Sequence, residues 1–370
     1  MDEGWHVHGL AAIASPALLV WPDRVRENVA HMVDLCGTAQ RLRPHVKTHK
    51  MDAVVRLQIS AGITKFKAST ISELEMCLHA GTEDVLLAYP LVGPGPDRLL
   101  RVAEAYPEAK LSFLADDPAT LSAISQGCLK SGVQLGVFVD FDCGMGRTGT
   151  TSAEEAGQIA KLARSSPGLN FAGIHTYDGH IRETDPMARR AAWSEAMKSL
   201  DKTLGLLEAR GHLIPSIVAG GSPTFGYHAS LPDRECSPGT TLFWDHGYGS
   251  AYPDLPFQQA AAVLTRVISK PGASRLCLDL GHKAIASELP LERRIHLIGL
   301  NRPRFLAHSE EHLVLESDDA SRFKVGSPIL GIPVHICPTV ALYREAALVR
   351  EHTLTGEKWE VTARNRILTF

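Results

Sequence analysis

The chain has 370 residues, 44% of them hydrophobic and 21% charged, a composition typical of a soluble globular protein with room for two domains. Its net charge of −3 offers no electrostatic footprint for nucleic acid, and no apolar stretch reaches the ~20 residues that span a membrane. Seven scattered cysteines and the absence of a secretory signal pattern predict a reducing, cytoplasmic location without a disulfide framework.

Apolar runs typical of β-strands alternate with amphipathic helical patterns from residue 17 to residue 245. The first run, 17–20, precedes a helical pattern at 22–35. The later runs are 43–47, 65–68, 85–89, 111–114, 135–141, 171–177, 214–219 and finally 240–244. Strands that alternate with helices indicate βαβ units and a parallel sheet. About eight such units favour an α/β fold of the (β/α)8 TIM barrel type.

The character of the sequence changes after residue 245. Strand-like runs such as 261–268, 276–279 and 312–315 are separated by Pro and Gly turns, and helical patterns are scarce. We therefore predict two domains, a barrel over 15–245 and a mainly β domain over 246–370, which residues 1–14 join.

Lys47 is the first candidate functional residue. If 42–47 is a strand, Leu42, Pro44 and Val46 face outward, and the cationic side chains between them face inward. Lys47 is then the last inward residue, at the strand end where barrel enzymes place their active sites. A buried lysine there can act as a base or form a Schiff base with a carbonyl cofactor. An ion pair or phosphate contact at the barrel rim is an equally good interpretation of the strand alone.

The run Gly220-Gly221-Ser222-Pro223-Thr224 follows a strand late in the series. Consecutive glycines let backbone N–H groups converge on an anion, and Ser222 and Thr224 add hydroxyls. Loops after strands 7 and 8 of such barrels commonly hold a phosphate. A plain turn is the alternative.

Two further stretches place polar side chains at strand ends. His175 and Tyr177 share one strand face, and His180 follows in a loop, where catalytic groups usually lie. A packed core histidine is the alternative for His175. Arg147 lies on a glycine-rich turn that aims it at an anionic group. A structural salt bridge to a neighbouring aspartate, Asp140 or Asp142, is equally compatible with that turn.

His335 and Cys337 are the candidate metal ligands. Positions i and i+2 of an extended segment fall on one face, so an imidazole and a thiolate can bind one cation. Sulfur favours zinc over magnesium or calcium, and two protein ligands leave positions open for water and substrate. A buried free cysteine beside a packed histidine is the commoner arrangement when nothing else is known.

In their order and spacing, these stretches resemble the fold-type III pyridoxal-phosphate enzymes related to alanine racemase. The resemblance covers nearly the whole chain and is to the D-threonine aldolase and D-serine dehydratase branch. It implies that Lys47, and not Lys50, forms the Schiff base, and that the phosphate is bound by Gly220, Gly221, Ser222 and Thr224. It implies that Arg147 approaches the phenolic oxygen of the cofactor and that Tyr177 lies near its pyridine nitrogen. It also implies that His180 is a catalytic base and that His335 and Cys337 bind the metal.

The resemblance implies a lyase that depends on pyridoxal phosphate and a divalent metal, zinc or manganese, and acts on β-hydroxy D-amino acids. Retro-aldol cleavage to glycine and an aldehyde is the expected reaction, and D-serine dehydration to pyruvate and ammonia is the alternative. Cys337 favours zinc and the dehydratase, because the aldolases are expected to carry His-x-Asp there. The following residues, Pro-Thr-Val, and the chain length favour the aldolases.

Two other classes fit the sequence less well. A racemase, with Tyr248 or Tyr252 as the opposite base, has no use for a metal pair. A cofactor carrier of the single-barrel type lacks the second domain. The resemblance also implies a homodimer, with a small D-amino acid as the substrate.

Overall fold

The computed structural model describes residues 3–370, which contain sixteen β-strands and ten α-helices. The strands are β1 (Ala17–Val20), β2 (Lys65–Ala68), β3 (Asp84–Leu87), β4 (Lys110–Ala115), β5 (Leu135–Phe141), β6 (Leu169–Thr176), β7 (Ile217–Ala219), β8 (Arg234–Cys236), β9 (Ala261–Ser269), β10 (Arg275–Leu278), β11 (Ile295–Leu297), β12 (Arg304–His308), β13 (Leu313–Glu316), β14 (Pro328–Pro333), β15 (Glu345–Arg350) and β16 (Thr353–Glu360). The helices are α1 (Pro22–Cys36), α2 (Asp52–Ser60), α3 (Ile71–His79), α4 (Gly95–Ala105), α5 (Pro118–Ser131), α6 (Ala153–Ser165), α7 (Pro186–Ala209), α8 (Phe225–Ala229), α9 (His246–Ala251) and α10 (Ile336–Val340).

The long helices begin where the sequence provides side-chain caps. Asp117 accepts a hydrogen bond from the Thr120 amide at the start of α5, and Asp185 accepts one from the Ala188 amide at the start of α7. Such caps satisfy amide groups that have no partner inside the helix. Within residues 3–370, no helix is both long and apolar enough to cross a lipid bilayer.

The contacts of the chain divide it into two units. One comprises Ala30–Lys47, Val55–Gly239 and Asn365–Phe370, and we call it the barrel unit. The other contains the residues up to Val29, together with Thr48–Val54 and Thr240–Arg364, and we call it the β unit.

The barrel unit contains a parallel sheet in the order β2-β3-β4-β5-β6-β7-β8. The segment 42–46 joins its two edges, since Leu42 bridges Cys236 of β8 and His45 bridges Lys67 of β2. Pro44 has no N–H to donate, so this segment forms isolated bridges and not a continuous ladder. The predicted barrel is confirmed, with an irregular extended segment where the sequence predicts a regular strand.

The β unit is built on a second sheet with the path β12-β13-β10-β9-β1-β15-β16, in which β14 also pairs with β9 and β11. Its strand β1, Ala17–Val20, is wrongly predicted from the sequence as the first barrel strand. This strand pairs antiparallel with β9 and parallel with β15. An apolar run followed by a helix looks the same in either sheet, and only long-range pairing distinguishes them.

The predicted strand at 240–244 is also wrong. Thr240–Leu242 form a 3-10 helix, and the barrel sheet ends at β8, Arg234–Cys236, a strand absent from the predicted series. The side chains of Leu242, Phe243 and Trp244 are buried, so the apolar run reflects burial without strand pairing.

Candidate functional site

The barrel unit brings together three of the predicted cofactor-binding residues. Lys47 lies in the turn that follows the edge-joining segment, and its Nζ is 5.3 Å from the centroid of the Tyr177 ring. The guanidinium carbon of Arg147 lies 5.0 Å from the same centroid. Cations this close to an aromatic face are attracted to its π electrons. An amine, a guanidinium and a phenol therefore converge at the carboxyl ends of the barrel strands.

The turn that carries Arg147 is held by backbone hydrogen bonds. The amides of Gly144 and Gly146 both donate to the carboxylate of Asp142, at 2.9 Å each. Both glycines have positive φ, at 125° and 65°, where side chains are strained. The Asp140 carboxylate accepts hydrogen bonds from the side chains of His175 and Thr148. Both aspartates are thus bonded to other donors, and the guanidinium of Arg147 lies against the Tyr177 ring.

In the glycine loop at Gly220–Thr224, the amides of Gly220 and Gly221 donate within the protein, to the Thr176 carbonyl and the Thr224 hydroxyl at 3.3 Å each. Gly220 has φ 111°, and a Cβ on it would come within 3.0 Å of the His228 ring. The Ser222 hydroxyl is buried and accepts from the Gly239 amide at 3.4 Å. The Ser237 hydroxyl is also buried and has no hydrogen-bond partner among the described residues.

Ser237 lies beside the loop, since its amide donates to the Ala219 carbonyl at 3.1 Å, and a phosphate there would supply the missing partner of its hydroxyl. Ser237 is absent from the sequence-based predictions. Its position directly after β8 is the signal that could have found it, because barrel loops after the last strands commonly hold phosphate.

His180 lies beside the turn that carries Arg147. Its Nε2 is 3.0 Å from the position a Cβ would take on Gly144, so a side chain at that position would crowd the imidazole. His180 is half-buried, and its Nδ1 has no partner among the described residues. It lines a cavity of about 420 Å3 together with Cys143 and Glu183. The ring therefore has a free nitrogen and access to a space that a small molecule can enter.

A buried chain of three polar residues lies in the same unit and was not predicted as a site. Asp140 Oδ1 is 2.8 Å from His175 Nδ1, and His175 Nε2 is 3.4 Å from Lys67 Nζ. Burial and then the charge of Lys67 lower the pKa of His175, so its ring is neutral. Burial opposes charge on Asp140, but the bond to His175 lowers its pKa below the ordinary value. Nδ1–H then donates to Asp140, and Nε2 accepts from the Lys67 amine.

We expect Lys67→Met to stabilise the protein at low pH. Burial, and secondly the charge of Lys47, lower the pKa of Lys67 to about 7, whereas an unfolded lysine keeps its proton up to about 10.4. The folded state therefore binds fewer protons between these values, and the wild type gains stability as the pH rises through this range. The stability difference between variant and wild type should fall by roughly 3 kcal/mol between about pH 6 and about pH 9.5. Urea unfolding at several pH values measures it, and a difference independent of pH contradicts the expectation.

The predicted metal pair lies in the β unit. His335 is extended, with φ −131° and ψ 99°, and caps α10, while Cys337 lies inside this helix. The prediction of one extended segment is therefore wrong, because the chain turns into a helix between the two residues. Their side chains nevertheless interact, since each shifts the pKa of the other. The Thr48 hydroxyl lies 3.1 Å from Cys337 Sγ.

Each member of the pair stabilises the charged form of the other, and a metal would bind the thiolate and displace the proton of the imidazole. Burial opposes charge on both groups. The contact with Cys337, however, raises the pKa of His335 to about 9, and the contact with His335 lowers the pKa of Cys337. The thiolate is the form of cysteine that binds metals. Glu288 Oε1 is 2.5 Å from His335 Nδ1, so Nε2 is the nitrogen left for a metal.

A buried carboxylate fixes the start of α10. Asp245 Oδ2 accepts from the Ile336 amide at 3.0 Å, between the two candidate ligands, and burial raises the pKa of Asp245 to about 6. Among residues 3–370, no group of three His, Cys, Asp or Glu side chains is positioned to hold a metal ion. An imidazole and a thiolate are ligands that zinc prefers, so His335 and Cys337 are the residues that would hold such an ion.

Comparison with known proteins gives two domain matches that follow each other along the chain. Residues 20–246 match the family described as alanine racemase, N-terminal domain. Residues 260–349 match the putative serine dehydratase domain.

Several characterised proteins are similar over most of their length. The chain is 29% identical over 328 residues to the D-threonine aldolase of an Arthrobacter species, covering 87% of this chain and 85% of that protein. It is 30% identical over 369 residues to the 3-hydroxy-D-aspartate aldolase of Paracoccus denitrificans (strain Pd 1222), covering 96% of this chain and 93% of that protein. The crystal structure of D-threonine aldolase from Filomicrobium marinum matches with a TM-score of 0.89 and 27% identity, covering 96% of this chain and 97% of that one. Given a family match over more than half of its length, the chain belongs to the alanine racemase N-terminal domain family, that of the fold-type III pyridoxal-phosphate enzymes.

Proposed function

We propose that this protein is a pyridoxal-phosphate-dependent lyase that cleaves β-hydroxy D-amino acids to glycine and an aldehyde. The observation that carries the proposal is the convergence of the Lys47 amine and the Arg147 guanidinium on the Tyr177 ring. The similarity to two aldolases over most of the chain supports the reaction type.

The barrel residues have complementary tasks in this proposal. Lys47 anchors the cofactor, Arg147 faces its phenolic oxygen, and Tyr177 faces its pyridine nitrogen. The loop residues Gly220, Gly221, Ser222 and Thr224, with Ser237, hold the phosphate. When bound, pyridoxal phosphate supplies an electron sink for the charge that develops on the substrate α-carbon. The protein supplies orientation and decides which bond breaks.

His180 is the proposed catalytic base, because its ring has a nitrogen without a partner and lines a cavity. It accepts the proton of the substrate β-hydroxyl. The Cα–Cβ bond then breaks, its electrons remain on the α-carbon, and the oxygen becomes the carbonyl of the leaving aldehyde. The α-carbon takes up a proton, and glycine is released.

His335 and Cys337 hold a divalent metal in this proposal, zinc in preference to manganese because one ligand is sulfur. A metal there supplies a Lewis acid for the β-hydroxyl. Glu288 orients the ring of His335, and Asp245 fixes the backbone between the two ligands.

Dehydration is the second candidate, and two observations favour it. The metal pair contains Cys337, and residues 260–349 match a putative serine dehydratase domain. In this reaction Lys47 takes the α-proton and the hydroxyl leaves from the β-carbon. Hydrolysis of the resulting enamine gives a keto acid and ammonia.

Product analysis decides between these reactions. We expect purified enzyme loaded with pyridoxal phosphate and zinc to convert D-threonine to acetaldehyde and glycine in equal amounts. A keto acid and ammonia from D-threonine or D-serine would establish the dehydratase instead. Racemisation that persists after EDTA treatment, without either product pair, would overturn the lyase proposal.

We also propose a cytoplasmic homodimer, as family membership suggests, in which the domain bounds predicted at 15 and 245 shift so that Ala17–Val20 and Thr240–Leu242 belong to the metal-binding β domain. Sedimentation velocity of the cofactor-loaded enzyme tests the dimer.

A further inference from the structure

The cavity beside His180 has acidic side chains in its wall that the roles proposed above do not use. Its volume is about 420 Å3, and it lies within the barrel unit. Glu183 follows His180 in the loop after β6, and Ala192, Glu195 and Ala196 of α7 form the opposite part of the wall. The alanines leave space, and the glutamates give that space its charge.

The position of His180 indicates which part of a substrate the cavity holds. One side of the ring lies against Gly144, and the buried Nδ1 has no partner among the described residues. In the proposed reaction this imidazole accepts the proton of the β-hydroxyl, so the β-carbon lies one bond beyond the hydrogen-bonded oxygen. The remaining substituent of the β-carbon therefore lies close to the ring, where the cavity is the available space.

Size does not select this substituent. About 150 Å3 is enough to hold a benzene molecule, so a cavity of about 420 Å3 accommodates a methyl group or a carboxylate equally well. The similar aldolases are named for substrates with either group, a methyl in D-threonine and a carboxylate in 3-hydroxy-D-aspartate. Similarity alone therefore leaves the nature of the substituent open.

The charge of the wall does distinguish these substituents. Among the described residues that line the cavity, none is a lysine or an arginine. Glu183 accepts a hydrogen bond from the Arg182 amide at 3.0 Å, and no cation within residues 3–370 forms an ion pair with it. Glu195 lies 2.5 Å from Lys198 Nζ and is 73% exposed, so its charge is partly compensated and screened. Glu183 is therefore the main source of negative charge beside His180.

We propose that Glu183, assisted by Glu195, is a specificity-determining residue that directs the enzyme to β-hydroxy D-amino acids with a neutral or cationic β-substituent and against those with a β-carboxylate. This inference rests on the proposed lyase function and on His180 as its base. Because both glutamates are exposed to water, each one contributes a modest factor of about fivefold at most.

The test compares two substrates of equal size, 3-hydroxy-D-aspartate and its amide 3-hydroxy-D-asparagine. The decisive quantity is the ratio of their kcat/KM values for glycine release by the enzyme loaded with pyridoxal phosphate and zinc. We expect the wild type to prefer the amide by roughly fivefold or more, and Glu183→Gln to lower this preference by about threefold to fivefold. Glu183→Gln combined with Glu195→Gln should remove the remainder.

Salt provides a second measurement on the unmodified enzyme. Raising the ionic strength from about 0.01 M to about 1 M shortens the screening length roughly tenfold, so the preference for the amide should fall with added salt. A merely structural role of the glutamates predicts equal changes for both substrates and a ratio independent of salt.

Glu208→Gln is the matched control, since Glu208 is an exposed glutamate of the same helix α7 that does not line the cavity. It should leave the ratio unchanged. No glycine from either substrate or from D-threonine would overturn the proposed cleavage itself. Glycine release from 3-hydroxy-D-aspartate as efficient as from the amide, or a preference that the double variant retains, would overturn only the inference about the glutamates.

Discussion

Lys47→Ala is expected to lower the turnover of D-threonine by at least about 1,000-fold, because the amine that anchors the cofactor is lost. Lys47→Arg should be equally inactive, since a guanidinium keeps the positive charge but does not form the covalent link. The measurements are the initial rate of acetaldehyde release and the cofactor absorbance that remains after gel filtration. Both variants should lose the bound cofactor absorbance along with the activity.

Lys50→Asn is the matched control for this prediction. Lys50 lies three residues further along the chain and has φ 53°, a conformation that asparagine tolerates better than most residues. We expect this variant to keep its activity and its cofactor. The reverse result, with Lys47→Ala active and Lys50→Asn inactive, would move the anchor to Lys50.

Substitution of the metal pair is expected to have the second largest effect. His335→Ala and Cys337→Ala each remove one of two protein ligands, so zinc affinity should fall by at least roughly 100-fold. Activity should fall with it if the metal binds the β-hydroxyl. Metal analysis of the dialysed proteins measures the binding, and rates before and after zinc addition measure the dependence. Cys277 is a buried free cysteine in the same unit, and Cys277→Ala is the control that should retain both zinc binding and activity.

Cys337→Asp refines the same experiment. Replacing sulfur by oxygen should shift the preference from zinc towards manganese, because carboxylates suit harder cations. Full activity in the metal-stripped wild type would contradict the role of the pair. Loss of metal without loss of activity in His335→Ala would assign the ion a structural task.

The sequence was most informative where side chains follow barrel strands. Alternation along 42–47 predicts an inward Lys47, and the structure places its amine over the Tyr177 ring. Strand–helix alternation predicts the barrel, because each unit carries its own periodicity. The chemical roles of Lys47, Arg147, Tyr177 and His180 stay predictions.

The same local rules failed where pairing is long-range. The run at Ala17–Val20 has the pattern of a barrel strand but pairs with β9 and β15 of the β unit. The spacing of His335 and Cys337 predicts a shared face on an extended segment, whereas the chain enters a helix between them.

The sequence by itself determined the fold class, the family and the residues at the strand ends, because periodicity and short motifs are local properties of the chain. Only the tertiary structure identified the partners of these residues: Lys67 with His175, Glu288 with His335, and Ser237 beside the glycine loop. Hydrogen bonds and charge compensation depend on distances between residues far apart in sequence. No spacing rule encodes such distances, so the supporting residues of a site emerge only when the chain is folded.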